Sequence, residues 1–202
     1  MIDTYQVLLA QRPATLHDLK GIRIGGVGLN LRYLAGLEAT GVTSSLNDWY
    51  NSLNSGLLQG VVAWSEAAVA YKLYEVAPYM LDVRLGAVTS MVVSINRRTY
   101  ERLPEEVRAV LVTTAKDYRD VLAQESEKMG TRSRAEYQRL GGTIIELTED
   151  ERKQWAARIP NMAREWAADL ERRGLPGRQI LQDYMDTMRA HNQPILRHWD
   201  RE

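Results

Sequence analysis

A glycine-rich stretch near the N-terminus is the part of the sequence most suggestive of ligand chemistry. Residues 20–30 read KGIRIGGVGLN, a strand-like segment that runs into Gly25, Gly26 and Gly28. Backbone N–H groups at a helix N-terminus suit a carboxylate, and glycines let a ligand approach the backbone closely. We therefore predict that the loop of residues 25–28 binds an anion, helped by Asn30 and Arg32 at the start of the following helix.

A nucleotide site is an alternative use of the same glycines. If Gly26 and Gly28 begin a dinucleotide fingerprint, Leu31 stands where a small residue must let the helix pack close to the strand. The acid expected about 20 residues later at the end of a second strand is missing, since Asp48 falls inside a predicted helix, and no Walker pattern occurs. A nucleotide-dependent α/β enzyme and a plain strand-to-helix turn both remain open interpretations.

Trp64 and Ser65 form a second candidate site. Trp64 ends a predicted strand, and Ser65 is the predicted N-cap of the next helix. Ligands of open α/β sheets bind outside the carboxyl ends of the strands. Both residues are therefore candidate ligand contacts, although Trp64 is equally compatible with core packing.

The remaining chemically active residue types do not form a catalytic pattern. His17, His191 and His198 are far apart and lack metal-ligand spacing. No Gly-x-Ser-x-Gly elbow occurs, and the carboxylates of the C-terminal half lie beside Lys and Arg at helical spacing. We predict a protein that is not an enzyme and that uses no metal or cofactor.

Composition limits the class of partner. The chain has 202 residues, a formal net charge of zero, 45% apolar residues and no cysteine. The zero net charge argues against nucleic acid or an anionic membrane surface as the main partner. The absence of cysteine excludes disulfides and thiolate metal sites. No apolar run approaches the about 20 residues of a membrane span, and the first residues lack the pattern of a signal peptide.

The elements that must position the candidate residues alternate between strand and helix in the first half of the chain. This alternation predicts βαβ units in a mostly parallel or mixed sheet. A single helical turn is predicted at 15–21, and Ser45 is the predicted N-cap of a helix that ends at Gly56. The other predicted helices span 29–39 and 65–71, and the predicted strands are residues 5–10, 22–24, 42–43, 57–64, 79–84 and 88–95.

The second half is predicted to be mainly helical. Pro104 opens a long helix that runs to Leu140 and is stopped by two glycines. A strand is predicted at 143–147, and a capping box at Thr148 opens a helix that carries Trp155 and Trp166 on one stripe. A final helix is predicted at 180–188.

Several segments, in order, resemble the DctP-type solute-binding proteins of tripartite ATP-independent periplasmic (TRAP) transporters. These segments are DLKGIRI at 18–24, WYNSLNSGLLQG at 49–60, YKLYEVAPY at 71–79 and SINRRTYERLP at 94–104. The resemblance implies an α/β, periplasmic-binding-protein-like (type II) fold of two lobes that close on a small organic acid. It also implies long C-terminal helices, a periplasmic location and delivery of the acid to TRAP membrane subunits.

The same resemblance divides the chain into three parts. Residues 1–20 correspond to a hinge strand and a remnant of lobe one, and residues 21–84 to lobe two. Residues 85–202 correspond to the return to lobe one, its long helix and the C-terminal helices. The N-terminal part of lobe one and the signal peptide are expected to be missing, which predicts self-association through the surface left uncovered.

Two departures from the family pattern concern the ligand. The family's arginine that forms a salt bridge with the ligand carboxylate falls on Gly25, or on Gly26 with another gap placement, and the acid of its "DG" pair is Gln59. Loss of a bidentate clamp argues against the usual dicarboxylate ligand. Arg84, which the resemblance places at the return between the lobes, is the predicted replacement for the lost arginine. Arg23, Arg32 and Arg84 are each also compatible with an ordinary surface role.

The leading hypothesis is therefore a solute-binding subunit of a TRAP transporter for a carboxylated or aromatic small molecule. The alternatives are the nucleotide-dependent enzyme described above and a helical self-association protein without a ligand.

Overall fold

A single six-stranded mixed sheet organises the chain. The computed structural model describes residues 4–84 and 92–202. In the described part of the chain, the order across the sheet is β3-β2-β4-β1-β5-β6. The strands are β1 (Gln6–Leu9), β2 (Arg23–Gly26), β3 (Thr40–Thr43), β4 (Gly60–Ala63), β5 (Tyr79–Asp82) and β6 (Thr143–Glu146).

Short helices follow the strands of the first half, and longer helices dominate the second. Single 3-10 turns occur at Leu16–Leu19, Leu34–Leu37, Leu46–Asp48 and Leu73–Glu75. None of the helices formed by the described residues is long and apolar enough to cross a membrane. The helices are α1 (Asn30–Tyr33), α2 (Trp49–Asn54), α3 (Ser65–Ala70), α4 (Arg97–Glu101), α5 (Glu105–Arg139), α6 (Glu149–Arg158), α7 (Met162–Arg172) and α8 (Gly177–Ala190).

The strand directions confirm the prediction of a mixed sheet. β1 runs antiparallel to both of its neighbours, β4 and β5. β2 runs parallel to β3 and β4, and β5 runs parallel to β6. The carboxyl ends of β2, β3 and β4 therefore meet at one edge of the sheet.

Both faces of the sheet are covered. In β1, Val7 and Leu9 belong to one core cluster and Leu8 to the other, as the two-residue period of a strand requires. The first cluster is completed by the Leu34–Leu37 turn and α6, and the second by α2, α3 and the end of α5. Apolar residues therefore fill both faces at the strand interiors.

A close approach fixes α6 on the first face. A Cβ atom at Gly36 would lie 2.7 Å from the carbonyl oxygen of Trp155 and closer still to its indole ring. The indole Nε1 of Trp155 donates to the carbonyl of Tyr33 at 2.8 Å. Only glycine at position 36 leaves room for this packing.

Two predicted helices are shorter than expected. The helix predicted at 29–39 consists of α1 and a 3-10 turn, and it ends where Glu38 adopts a left-handed conformation with φ 55°. The helix predicted from Thr148 forms with its capping box but ends at Arg158. Pro160 lacks the N–H that a continuing helix needs, and Asn161 caps the new helix α7 by accepting from the Arg164 amide at 2.9 Å.

The long helix α5 begins and ends as predicted, but only its C-terminal third packs on the sheet. Its buried residues are Gly130, Ser133 and Tyr137, and the Tyr137 hydroxyl donates to the Ala77 carbonyl at 2.7 Å. The strand predicted at 88–95 lies partly outside the described residues. Its described part, residues 92–95, is not a strand and is exposed.

Candidate ligand-binding site at the carboxyl edge of the sheet

The parallel pairing of β2 with β4 brings two helix starts to the same edge. Gly25 is in register with Val61, so the residues that follow the two strands emerge side by side. Helix α1 begins after β2, and helix α3 begins after β4. We call residues 27–30 and 64–65 the strand-end site, because they follow these two carboxyl ends.

Gly25 and Gly26 lie in strand β2 rather than in the loop, so the predicted loop begins at Val27. A Cβ atom at Gly25 would lie 2.6 Å from a methyl of Leu58 and 2.6 Å from the Ser44 hydroxyl oxygen. At Gly26 it would lie 2.9 Å from a methyl of Leu31. The arginine that the family resemblance expects at position 25 or 26 therefore has no room unless neighbouring side chains move.

The amides that are free to bind an anion are those of Val27, Gly28 and Leu29. None of these three N–H groups has a hydrogen-bond acceptor within residues 4–84 and 92–202. Their carbonyls accept from the next turn, for example that of Gly28 from Leu31 N at 3.3 Å. Gly28 adopts φ 57°, with no atom within 4 Å of the position of a Cβ, so the backbone there is open to approach.

Two buried polar side chains follow the same two strands, Asn30 after β2 and Ser65 after β4. Asn30 and Ser65 are both buried, and neither the Asn30 Oδ1 nor the Ser65 Oγ has a hydrogen-bond partner among the described residues. A buried polar atom without a partner costs about 1–3 kcal/mol. Ser65 was predicted as an N-cap, but Trp64 is the N-cap, with φ −105° and ψ 160°, and Ser65 is the first helical residue.

Trp64 is half-buried and contacts the first core cluster. Its ring packs edge-on against Tyr5, with a centroid separation of 5.6 Å and an interplanar angle of 68°. The contact is a packing interaction with the first core cluster. Whether Trp64 also contacts a ligand stays a prediction.

Arg84 is held at the end of β5 by an ion-pair network. Its Nη2 lies 2.9 Å from Asp82, whose buried carboxylate also pairs with Arg134 at 3.0 Å. The hydrogen bond that Arg84 donates to Asp82 raises the pKa of Arg84. The amides of Val83 and Arg84 both donate to the buried side chain of Gln6, at 2.8 Å and 3.3 Å, which fixes Arg84 in a left-handed conformation with φ 50°.

Arg32 and Arg84 line a large cavity beside the strand-end site. The cavity measures about 770 Å³ and lies between α1, the end of β5 and the C-terminal helices. Arg32 pairs across it with Glu165 of α7 at 2.5 Å. Of the seven predicted ligand-binding residues, the structure therefore places two at this cavity, whereas Gly25, Gly26, Asn30, Trp64 and Ser65 are at or below the strand ends.

Sequence patterns did not reveal this cavity. Its lining comes from residues 29–33, 83–84 and 152–199, which the fold brings together from distant parts of the chain. Trp155 and Trp166, which the sequence places on one helical stripe, both line the cavity. Metal-ligand clusters of three or more His, Cys, Asp or Glu are absent from the described residues.

The fold resembles that of solved TRAP periplasmic solute-binding proteins. A TRAP periplasmic solute-binding protein from Desulfovibrio salexigens superimposes with a TM-score of 0.77 at 17% identity, covering 90% of this chain and 57% of that one. DctP7 of Bordetella pertussis, an extracytoplasmic solute receptor binding pyroglutamic acid, superimposes with a TM-score of 0.72 at 18% identity, covering 91% and 60%.

Sequence comparison assigns the family. Residues 9–169 match the model of DctP, the bacterial extracellular solute-binding protein family 7, and the chain belongs to this family. A solute-binding protein of Albidiferax ferrireducens is 23% identical over 141 residues, which are 68% of this chain and 42% of that protein. The chain therefore spans about half the length of the relatives it matches.

Proposed function

We propose that the protein is the solute-binding subunit of a TRAP transporter and that it binds a small organic acid at the strand-end site. Family membership supports a solute-binding protein as the class of function, and we infer that it carries out no catalysis. The single observation that carries the finer proposal is the group of three unpaired amides at Val27, Gly28 and Leu29, beside buried Asn30 and Ser65. The DctP7 receptor supports an acid as the solute class, because its ligand carries a carboxylate.

The chemistry of the strand-end site suits one carboxylate group. Backbone amides donate to an anion without adding a charged side chain, and two glycine positions exclude an arginine clamp from β2. A ligand with a single carboxylate and a compact body, such as a keto acid or a cyclic amino acid, requires no bidentate guanidinium. We therefore expect monocarboxylates to be preferred over dicarboxylates.

Arg84 supplies the cation that the strand lacks. A guanidinium has five N–H donors, of which Arg84 uses its Nε and Nη2 for Asp82. The remaining donors are available, since the Arg84 side chain is 56% exposed. A ligand carboxylate at this rim would be attracted to Arg84 without displacing the pair to Asp82.

The cellular setting follows the family. DctP proteins are periplasmic and work with TRAP membrane components, and the same location and partners are proposed for this chain. The division into a hinge strand at 1–20, lobe two at 21–84 and a return to lobe one at 85–202 is part of this proposal. The solute would then be enclosed between lobe two and a first lobe.

A calorimetric screen tests the proposal. Organic acids including pyroglutamate would be titrated into the protein, and Arg84→Gln would be compared with Arg98→Gln, an exposed control on α4. We expect saturable binding of at least one monocarboxylate, weakened by Arg84→Gln and unchanged by Arg98→Gln. Binding of nucleotides with no response to organic acids would favour the glycine-loop enzyme instead.

Self-association is proposed from the N-terminal part of α5. Val107, Val110, Leu111, Tyr118 and Val121 are exposed at helical spacing, Val110 by 63% and Val121 by 58%. Such a stripe on a soluble helix indicates a protein contact. Light scattering should show a dimer or larger species that Val110→Asp together with Val121→Asp converts to monomer, and a wild-type monomer at high concentration would contradict this.

A further inference from the structure

The cavity lined by Arg32 and Arg84 has the size of a ligand site. We call it the helical pocket, because α1, α6, α7 and α8 form most of its walls. Its volume of about 770 Å³ lies within the range of small-molecule sites, roughly 300–1,000 Å³. Of the strand-end site, Leu29 lines this cavity, whereas Val27, Gly28, Asn30, Trp64 and Ser65 do not. The two sites therefore adjoin at Leu29, and most of their residues differ.

The walls of the helical pocket are mainly aromatic and apolar. Tyr33 and Trp155 form one side, and Tyr184, Met185 and Leu181 of α8 form another. Burial raises the pKa of Tyr33, and the charge of a deprotonated Tyr184 would raise it further. Aromatic rings and flexible methionines suit a planar or irregular apolar ligand.

The C-terminal tail closes one end of the pocket. Arg197 donates to the carbonyls of Ala156, at 2.7 Å, and Ile159, at the C-terminus of α6. Its guanidinium also stacks over the Trp199 ring at 4.2 Å. Asn161 donates to the Trp199 carbonyl at 3.0 Å. Residues 194–199 are therefore fixed against α6 and α7, and they complete the wall.

The charges around the pocket are unbalanced. Five arginines line it, against a single carboxylate, Glu165, within the part of the chain that the structure describes. Four of these arginines are paired with acids, namely Arg32 with Glu165, Arg84 with Asp82, Arg172 with Asp169 and Arg197 with Glu202.

Arg152 is the exception among the five. Its Nε is buried and has no hydrogen-bond partner among the described residues, and no ion pair of its guanidinium is formed there. A buried guanidinium N–H without an acceptor is unfavourable, and an anionic group in the pocket would satisfy it.

We propose that the helical pocket is a second binding site, which takes an amphipathic organic anion such as an aromatic carboxylate. The carboxylate binds Arg152, and the apolar body lies among Tyr33, Trp155 and Met185. The occupant is larger and more apolar than the compact acid expected at the strand-end site, because a 770 Å³ space with apolar walls stabilises an extended hydrocarbon body.

The test is calorimetry of the full chain with 1-naphthoate and with its neutral analogue, 1-naphthalenemethanol. We expect 1-naphthoate to bind more tightly than the alcohol. Arg152→Gln should weaken 1-naphthoate roughly tenfold, as expected for loss of a charge-assisted hydrogen bond. Arg158→Gln, at an exposed position of the same helix that does not line the pocket, should leave its affinity unchanged.

A second variant separates a site in the pocket from surface binding. Ala163→Trp places a large ring in the pocket from the start of α7, and it should abolish binding of both compounds while thermal unfolding stays cooperative. The proposal is overturned if 1-naphthoate does not bind at millimolar concentration, if Arg152→Gln binds it as tightly as the wild type, or if the alcohol binds equally well. Displacement of 1-naphthoate by excess pyroglutamate would also overturn it, since the two sites would then be one.

Discussion

The strand-end site and the helical pocket are neighbours, but they are formed by different parts of the protein chemistry: backbone groups in the first and side chains in the second. The strand-end site consists of backbone amides and two buried polar side chains contributed by residues 27–30 and 64–65. The helical pocket consists of aromatic and apolar side chains with a cationic rim, contributed by segments up to 170 residues apart, from Leu29 to Trp199. The first depends on backbone geometry and the second on tertiary packing.

This difference determines how each region should respond to change. A site made of amides at the ends of strands persists as long as the sheet forms, because the ladder positions it. A site made between helices depends on how those helices dock, and a single side chain at the contact can remove it. The variants below are ordered from the largest expected effect to the smallest.

Gly36→Ala should have the largest effect, and it should act on the helical pocket alone. The added Cβ would lie within 2.8 Å of the Trp155 indole nitrogen and 2.7 Å of its carbonyl oxygen, so α6 must move. We expect a loss of about 3 kcal/mol in the free energy of unfolding, measured by denaturant titration. Gly56→Ala is the control, since no atom lies within 4 Å of a Cβ there and only its positive φ adds about 1 kcal/mol of strain.

Arg197→Met should release the wall formed by the tail. The methionine keeps much of the apolar stem but loses the hydrogen bonds to the Ala156 and Ile159 carbonyls and to Glu202. We expect about 2 kcal/mol of destabilisation and faster amide exchange confined to residues 194–202. Unchanged exchange there would show that the tail is held by other contacts.

Arg84→Gln should affect small-acid binding more than stability, and Arg84 lies between the two regions. It removes one of the two cations that pair with Asp82 while Arg134 keeps its contact at 3.0 Å. We expect small-acid affinity to fall roughly tenfold, with a change of less than about 1 kcal/mol in stability. An unchanged affinity would remove Arg84 from the site.

Ser65→Ala should have the smallest effect on stability and an informative effect on binding. The Ser65 hydroxyl is buried without a partner among the described residues, so its removal should leave the unfolding free energy within about 0.5 kcal/mol or raise it. If a ligand satisfies this hydroxyl, small-acid affinity should decrease. A marked loss of stability would instead reveal a structural hydrogen bond.

The strands and helix starts were largely predictable from sequence. β1, β6, α5 and α6 follow from short β-rich runs, from Pro104 and from the capping box at Thr148, all of which are local signals. The local signals did not predict two helix ends that are each set by a single residue. Pro160 ends a helix whose apolar stripe continues across it, and Glu38 ends another by adopting a left-handed conformation without a glycine.

The candidate site was predictable only in part. Asn30 and Ser65 could be proposed because carboxyl ends of strands and helix starts are visible in the sequence. The burial of Gly25 and Gly26 could not, since it depends on Leu58, Ser44 and Leu31 from other elements. The helical pocket could not be predicted either, because an aromatic stripe that lines a cavity looks the same in sequence as one that fills a core.

The most direct test of the strand-end site is a nuclear magnetic resonance titration that follows individual backbone amides. Pyroglutamate is the probe, and 2-pyrrolidone, which has the same ring without the carboxylate, is the control. Saturable shifts of the Val27, Gly28 and Leu29 amides with pyroglutamate and not with 2-pyrrolidone are the predicted result. Shifts confined to other residues, or none at millimolar acid, would contradict the account.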